Sequence, residues 1–515
     1  MAKLAKVVRN FYRDSVTLMQ LSAHLSGLPG VSQASAVMAS ESNLALLREA
    51  GLLGSDVAAG PNDLLVALEG EEAAIAEAMA AAERGLNEAP PAAKGAAQEQ
   101  PPLSLEMALE STPGANLALI STPGDYATAE AMKALRLGLN VMLFSDNVPV
   151  ADEIALKRYA AAHELMVMGP DCGTAIIGGV PLGFANVVRR GRIGLVGASG
   201  TGLQQVSSLI DRLGGGVSQA IGTGGHDLSA EVGGITMRQG LEALAADEAT
   251  RVIVLISKPP ARQVAERVLE EARQAGKPVV VNFIGADPGP IAALGLTAAK
   301  TLEDAAVAAV ALESGRRGAP SDAFQQRQPR PASGERSPKQ RYVRGLFSGG
   351  TFCYEASLLL GESFPDVFSN TPVGNARRLD NVWQSRAHSL LDLGDDLFTR
   401  GRPHPMIDFR LRLERFAVEA RDPETAVILL DIVLGYGAHP DPAGAIAPSI
   451  EAAIAEAAAA ERRLAVVGFV CGTSADPQNL EQQEARLVAA GMILARSNAE
   501  AARRAARIAA DCEGA

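Results

Sequence analysis

Two short stretches carry the residues on which chemistry would be built. Residues 194–210 read "GLVGASGTGLQQVSSLI", and residues 345–360 read "GLFSGGTFCYEASLLL". In each, an apolar strand runs into a bend of small residues and then into a helix. The first bend offers Ser199, Gly200, Thr201 and Gly202; the second offers Ser348, Gly349, Gly350 and Thr351. A helix N-terminus presents unpaired backbone N–H groups and roughly half a positive charge. Glycine lets a ligand approach that backbone, and Ser and Thr hydroxyls add donors. Two such ends facing one another suit a small anion, phosphate above all. Each dipole contributes about 0.3–1 kcal/mol when exposed and up to ~2 when partly buried. The same glycines also serve the geometry of a tight strand-to-helix turn, and that alternative stands beside the first.

Other residues are candidates for acid–base work or substrate contact. The loop "IGTGGHDLS" (221–229) brings Gly224, Gly225, His226 and Asp227 together. The His–Asp pair can bind a carboxylate or amide or supply a proton, or it is a surface histidine beside a helix-capping aspartate. Lys258, in "ISKPPA", meets an anionic substrate or solvates a strand end. "GRPHPMIDFRLR" (401–412) places Arg402 and His404 near Arg400, Asp408 and Arg410, a set able to receive a dicarboxylate. Asp431 and His439 flank a loop at a strand's carboxyl end, where open α/β sheets hold ligands. Asp171 and Cys172 stand in "MGPDCG"; with no partner histidine in view, Cys172 reads as packing rather than as a nucleophile. The four cysteines are far apart and lack CxxC spacing, so neither a metal site nor a disulfide framework is expected.

The elements that must hold these residues follow from composition and pattern. A chain of 515 residues has room for three or four domains at ~150 residues each. Nearly half its residues are apolar, many of them alanine, which suits helix-rich α/β layers. A net charge of −12 without a basic stripe argues against a nucleic-acid partner. No apolar run approaches ~18 residues, so no membrane span is expected. The start "MAKLAKVVRNFYRD" lacks a signal-peptide core, which points to the cytoplasm.

Residues 1–86 read as a ferredoxin-like α+β module. "SVTLMQLSAHLSGLPGVSQASAVMAS" reads strand–helix–strand, and "NDLLVALEGEEAAIAEAMAAAERGL" reads strand–helix. A Pro/Ala/Gln linker follows at 87–102. Short apolar strands alternating with helices then predict parallel sheets: a Rossmann-like domain over 103–187 and a flavodoxin-like domain over 188–314. A charged, Pro-rich linker (315–341) leads to a second flavodoxin-like domain over 342–512. "VIVLIS" then "PVVVNFIG" in the first half match "AVILLDIVLG" then "LAVVGFVCG" in the second, so the two halves read as an internal duplication.

"MGPDCGTAIIGGVPLGF", followed by "RRGRIGLVGASGTGLQQVSSLIDRLGGGVSQAIGTGGHDLS", resembles the α subunit of succinyl-CoA synthetase. That family carries a GPNCPG turn, a GRIGIVSRSGT corner and a VGIGGDP loop. Residues 341–512 resemble the carboxy-terminal domain of the same enzyme's β subunit. A fused chain with a small N-terminal module and no ATP-grasp domain is similar to the FdrA family, often labelled acyl-CoA synthetase. The resemblance implies a Rossmann-like CoA-binding-type domain and two flavodoxin-like synthetase domains. It implies Ser199–Gly202 as phosphate-binding, with Ser348–Thr351 as their counterpart. Gly224, Gly225 and Asp227 follow the family's Gly-rich loop, and Asp171 and Cys172 its GPNC turn.

Three departures change the expected chemistry. The synthetase relays phosphate through a histidine in a Gly-His-Ala-Gly loop; the corresponding region here, "NFIGADPGPIAALGLTAAKT", has none. The glutamate that steadies that histidine lies in a Gly-Glu-Ile-Gly-Gly stretch, where this chain has "ISKPPA". Residues 1–86 are too few for a nucleotide-binding half. The Gly-rich loop expected before "NLALISTPGD" also has no clear counterpart. An anion site without a relay suits direct attack by inorganic phosphate on an acyl or carbamoyl carbon, or the reverse. FdrA-type proteins are implicated as a subunit of oxamate carbamoyltransferase in purine and allantoin breakdown, converting oxalurate and phosphate to oxamate and carbamoyl phosphate. The resemblance thus implies a carbamoyltransferase subunit with phosphate as substrate, CoA possible, and partner subunits in an oligomer. His226 and Lys258 are the catalytic candidates on the reading of the residues themselves, and His226 does not occupy the position of the family's histidine. Alternatives are an NDP-forming acyl-CoA synthetase with a nucleotide-binding partner chain, and a non-catalytic regulatory subunit.

Overall fold

A computed structural model describes residues 2–54, 57–87, 102–315, 339–399 and 402–510. The chain divides into two compact units, one of Met1–Asp171 with Asp396–Asp408, the other of Cys172–Asp395 with Phe409–Ala515. Most of both expected linkers, together with Arg400 and Cys512, lie outside the described residues.

The first unit opens with a three-stranded antiparallel sheet, β1 (Ala2–Val8), β2 (Val31–Met38) and β3 (Leu64–Gly70), in the order β1-β3-β2. The two-residue period of β3 serves both faces. Leu64, Val66 and Leu68 pack with helices Ser15–Ser26 and Glu72–Asn87, while Leu65 and Ala67 pack with helix Glu41–Glu49. This is the small α+β module expected, with one correction. "SVTLMQL" is helical rather than a strand: Asp14 caps it, accepting from the Thr17 N–H at 3.0 Å, and the first strand lies upstream at Ala2–Val8.

A short parallel sheet follows, β4 (Leu117–Ile120), β5 (Asn140–Leu143) and β6 (Val167–Met168), ordered β4-β5-β6. Helix Gly124–Arg136 covers it with Ala127, Ala131, Ala134 and Leu135, small side chains that allow close approach.

The second unit holds two seven-stranded sheets. The first contains β7 (Thr174–Ile177), β8 (Val180–Gly183), β9 (Arg190–Ala198), β10 (Val217–Gly222), β11 (Val252–Ser257), β12 (Val279–Phe283) and β13 (Thr297–Ala298). Its order is β13-β12-β11-β9-β10-β7-β8, with the β7–β8 hairpin antiparallel at one edge. The hairpin belongs to this sheet, so the Rossmann-like part ends at Asp171 and not at the expected residue 187.

The second sheet contains β14 (Tyr342–Phe347), β15 (Val367–Ser369), β16 (Arg377–Arg378), β17 (His388–Asp392), β18 (Thr425–Val433), β19 (Ala465–Cys471) and β20 (Ile493–Ala495). Its order is β16-β15-β17-β14-β18-β19-β20, parallel throughout.

Counted from β9, the first sheet contains the order 2-1-3-4-5 of the flavodoxin-like fold, and the second contains it counted from β14 once the short edge strands β15 and β16 are left out. β9 and β14 are the "1" strands, and the topological switch point lies beside each. The central strands are buried on both faces, Val252–Ser257 and Thr425–Val433 throughout, which is why they read as unbroken apolar runs.

Candidate functional site

The two corners follow the two "1" strands, at the carboxyl edge where such sheets place ligands. Ser199 caps helix Gly200–Arg212, its Oγ accepting from the Gly202 N–H at 2.9 Å. Helix Gly350–Gly361 starts without a side-chain cap, because Gly349 stands where Ser199 stands in the first half. The two helix starts meet. Ser199 Oγ lies 2.5 Å from Thr351 Oγ1, and a Cβ added at Gly349 would sit 2.7 Å from Thr201 Cγ2. Equivalent positions thus exchange partners, Ser199 with Thr351 and Gly349 with Thr201, as a local pseudo-twofold relation requires.

Within each corner the hydroxyls have different duties. The Ser348 N–H donates to Asp431 Oδ1 at 2.8 Å, and the Ser348 hydroxyl donates to Asp431 Oδ2. Asp431 is itself paired with the fully buried Arg412 at 2.6 Å, whose guanidinium also reaches the Leu346 and Asp431 carbonyls. Burial pulls the Arg412 pKa below its ordinary value, with Asp431 opposing the shift. Ser348 is therefore locked to the sheet, and its proton is committed.

Gly202 is likewise structural: its N–H is taken by Ser199, and a Cβ there would stand 2.6 Å from Ser199 Oγ. Thr201, Gly350 and Thr351 remain at the junction of the two helices. Gly200 lies against Thr174, whose Oγ1 is 3.3 Å from where a Cβ would be.

Lys258 reaches this junction from the end of β11. The pairing of Ser257 with Ala198 places the lysine next to the Ser199 corner. A residue the sequence reading missed comes from the other half: Asp392, at the end of β17, paired with Phe347 of β14. A Cβ at Gly350 would stand 2.5 Å from Asp392 Oδ2 and 3.2 Å from Lys258 Nζ. Burial pushes the Asp392 carboxyl up to about 6, with Lys258 opposing the shift. The signal for Asp392 was its register: Gly222 pairs with Gly197 in the first half as Asp392 pairs with Phe347 in the second.

The remaining candidates fall elsewhere. His226 and Gly225 are exposed on the loop after β10, and Gly224 is buried. Asp227 is fully buried and serves as a helix cap, its two oxygens accepting from the Thr236 and Met237 N–H groups at 3.1 and 2.8 Å. Cys172 is buried against β10, with its Sγ 2.5 Å from where a Gly222 Cβ would be and 3.6 Å from the Thr174 carbonyl oxygen.

Asp171, Arg402 and His404 belong to the first unit. Asp171 and Arg402 are exposed. The His404 Nδ1 accepts from the Met406 N–H at 3.2 Å, and burial pulls its pKa down to about 4. His404 is thus neutral near pH 7, so any positive charge offered to a dicarboxylate there comes from the neighbouring arginines. His439 acts similarly in its loop, its Nδ1 accepting from the Asp441 N–H at 3.0 Å. Among the described residues no helix is long and apolar enough to cross a membrane.

Two flavodoxin-like halves joined through their helix starts define a scaffold of the CoA-ligase class. Residues 346–508 match the family described as CoA-ligase, residues 188–285 the CoA binding domain, and residues 1–102 the AllF heavy metal-associated domain. The chain is 45% identical over 492 residues to the Uncharacterized protein YahF of Escherichia coli strain K12, covering 95% of each chain, and belongs to the same family. It is also similar to the ADP-forming succinate–CoA ligase subunit alpha of Aquifex aeolicus, at 29% identity over 34% of this chain and 59% of that one. The subunit alpha 1 of Archaeoglobus fulgidus is 29% identical over 36% of this chain and 64% of that one. Each match thus spans less than two thirds of the ligase subunit.

The residues of the N-terminal module do not fit the group its family description names. Soft heavy metals favour thiolates, whereas residues 1–102 contain no cysteine and one histidine, His24. Among the described residues no cluster of three or more His, Cys, Asp or Glu is placed to hold a metal.

Proposed function

We propose that this protein is an FdrA-type enzyme in which inorganic phosphate takes part directly in acyl or carbamoyl transfer, as one subunit of a larger assembly. The observation that carries this reading is the meeting of the two helix starts at Ser199 and Thr351, with Lys258 alongside. Aligned N–H groups, hydroxyls and an ammonium stabilise a phosphate in the ground state and the oxyanion that develops as an acyl carbon is attacked. Among the described residues, no histidine stands in this arrangement to carry a phosphoryl group as the synthetase histidine does. Lys258 stands at the position of the glutamate that would steady such a histidine. Direct attack by phosphate needs neither residue. On resemblance to FdrA-type proteins, oxalurate and carbamoyl phosphate are the first substrates to try, with Lys258 holding the anion. His226, on its exposed loop, is the candidate proton donor.

A second reading, an NDP-forming acyl-CoA synthetase with a nucleotide-binding partner chain, is favoured by the CoA-ligase and CoA binding families that the chain matches. One feature weighs against a diphosphate cradle in the turn after β4. Its glycine, Gly124, is spent on packing: a Cβ there would lie 2.4 Å from the Asp146 carbonyl oxygen.

The two readings separate in a ligand-induced melting experiment on the full chain, since ligands that bind the folded state raise its stability by mass action. Phosphate and carbamoyl phosphate should raise Tm while CoA and ATP leave it unchanged. A shift with CoA and none with phosphate would overturn the transferase in favour of the synthetase.

A further inference from the structure

Over the bare α-carbon of Gly350, an ammonium and a carboxylate oxygen converge without satisfying each other. Lys258 Nζ makes no ion pair or hydrogen bond among the described residues; its one described contact is the Tyr354 ring, 4.9 Å away. Asp392 is only 6% exposed. Its Oδ1 accepts from the Gly394 N–H at 3.0 Å, and its backbone is fastened to the Asn370 side chain on both sides. Its Oδ2 points at the start of helix Gly350–Gly361 and takes no hydrogen bond among the described residues. That helix start has no side-chain cap. The place therefore combines uncapped N–H donors, a cation and, on a side chain only 6% exposed, a carboxylate oxygen that takes no donor among the described residues. The duplicated half has nothing like it, because Gly222 occupies the position equivalent to Asp392.

An ionised carboxylate repels an anion, whereas a protonated one donates to it. We propose that this helix start binds a tetrahedral oxyanion together with one proton, which Asp392 Oδ2 takes from solvent and directs at an oxyanion oxygen. Lys258 and the N–H groups supply the remaining contacts. The inference rests on reading the corner as an anion site.

The groups facing Asp392 favour such uptake. Asp395 and Asp431 push its pKa up and Lys258 holds it down, while Arg412 pairs with Asp431. The Cys353 thiol, on the same helix, is pushed by burial up to about 12 and stays neutral. The carboxyl sits at about 6. At pH 7 it is therefore mostly ionised in the free protein, and an arriving dianion drives protonation further.

Sulfate is the probe, because it carries no titrating proton at pH 7. Calorimetric titration of the full chain with sulfate, in two buffers of different ionisation enthalpy, reads the protons exchanged per ion bound. The expected result is uptake of roughly 0.5–0.9 proton per sulfate. Asp392→Asn should still bind sulfate with uptake near zero, and Lys258→Met should weaken binding by about tenfold. Sulfate binding to the wild-type protein without proton uptake overturns the inference and leaves the anion site standing. Absence of sulfate binding overturns both. The wild-type comparison in two buffers decides between these even if a variant fails to fold.

Discussion

Ser199 and Thr351, 152 residues apart in sequence, place their hydroxyl oxygens 2.5 Å apart at the start of two helices. Thr201 and Gly349 face each other across the same junction. The two halves with matching strand patterns thus do more than form two similar sheets: they bring the two small-residue corners into contact. A double-mutant cycle measures that contact. Thr351→Val removes one hydroxyl from a buried pair and should cost about 1–3 kcal/mol. Ser199→Ala also loses a helix cap, worth about 1 kcal/mol. Because both changes break one bond, the double variant should be less destabilised than the sum of the singles, which thermal unfolding of the three proteins would show. Strict additivity would mean that the two hydroxyls do not interact.

Gly350→Ala tests the convergence of Lys258 and Asp392. The new methyl group would stand 2.5 Å from Asp392 Oδ2 and 3.2 Å from Lys258 Nζ, so the carboxylate must move. The protein should fold with a lowered Tm and lose the melting shift that phosphate gives the wild type. A retained phosphate shift would place the anion elsewhere.

Arg412 and Asp431 form a buried ion pair that holds Ser348 in place. Arg412→Met leaves Asp431 charged and unpaired, which should cost about 3–5 kcal/mol. Adding Asp431→Asn to Arg412→Met should restore part of that loss, since the stranded charge is gone. Circular-dichroism melts of the single and double variants give the comparison. A double variant no more stable than Arg412→Met would contradict this account.

Glu355 should make stability fall with rising pH. Its carboxyl is fully buried, accepts from the Leu302 N–H and the Asn498 amide at 2.7 Å each, and is pushed by burial up to about 7. The folded state therefore holds this proton where the unfolded chain has released it. The stabilisation is fully present below the ordinary glutamate range and is lost as pH climbs through about 7. Glu355→Gln should flatten the wild-type slope of stability between pH 5 and pH 7, because glutamine has no proton to lose. An unchanged slope in denaturant midpoints across that range would assign the dependence to other groups.

Much of the architecture was legible because it depends on local pattern. Parallel strands buried on both faces have to be apolar runs, so β9, β11, β12, β14, β18 and β19 announced themselves. The two corners did so through glycine, serine and threonine set between a strand and a helix. "SVTLMQL" misled because β-branched residues at a helix start resemble a strand, and the Asp14 cap decided otherwise. β17 escaped notice as a strand: "HSLLD" is five residues long and ends in an aspartate.

The sequence by itself determined the layered α/β class, the matching strand pattern of the two halves and the identity of the residues at each bend. Only tertiary structure decided their duties. Ser348 and Gly202 have the types of anion-binding residues, yet folding commits one to Asp431 and the other to Ser199. Asp227 becomes a helix cap because helix Ile235–Ala246 starts above it. Asp392 gains its place from register and its raised pKa from burial, with Lys258 brought to it from the other half of the duplication. Spacing along a chain fixes which elements form. Desolvation and charge pairing depend on what those elements bring together, and that is settled only when the two halves pack.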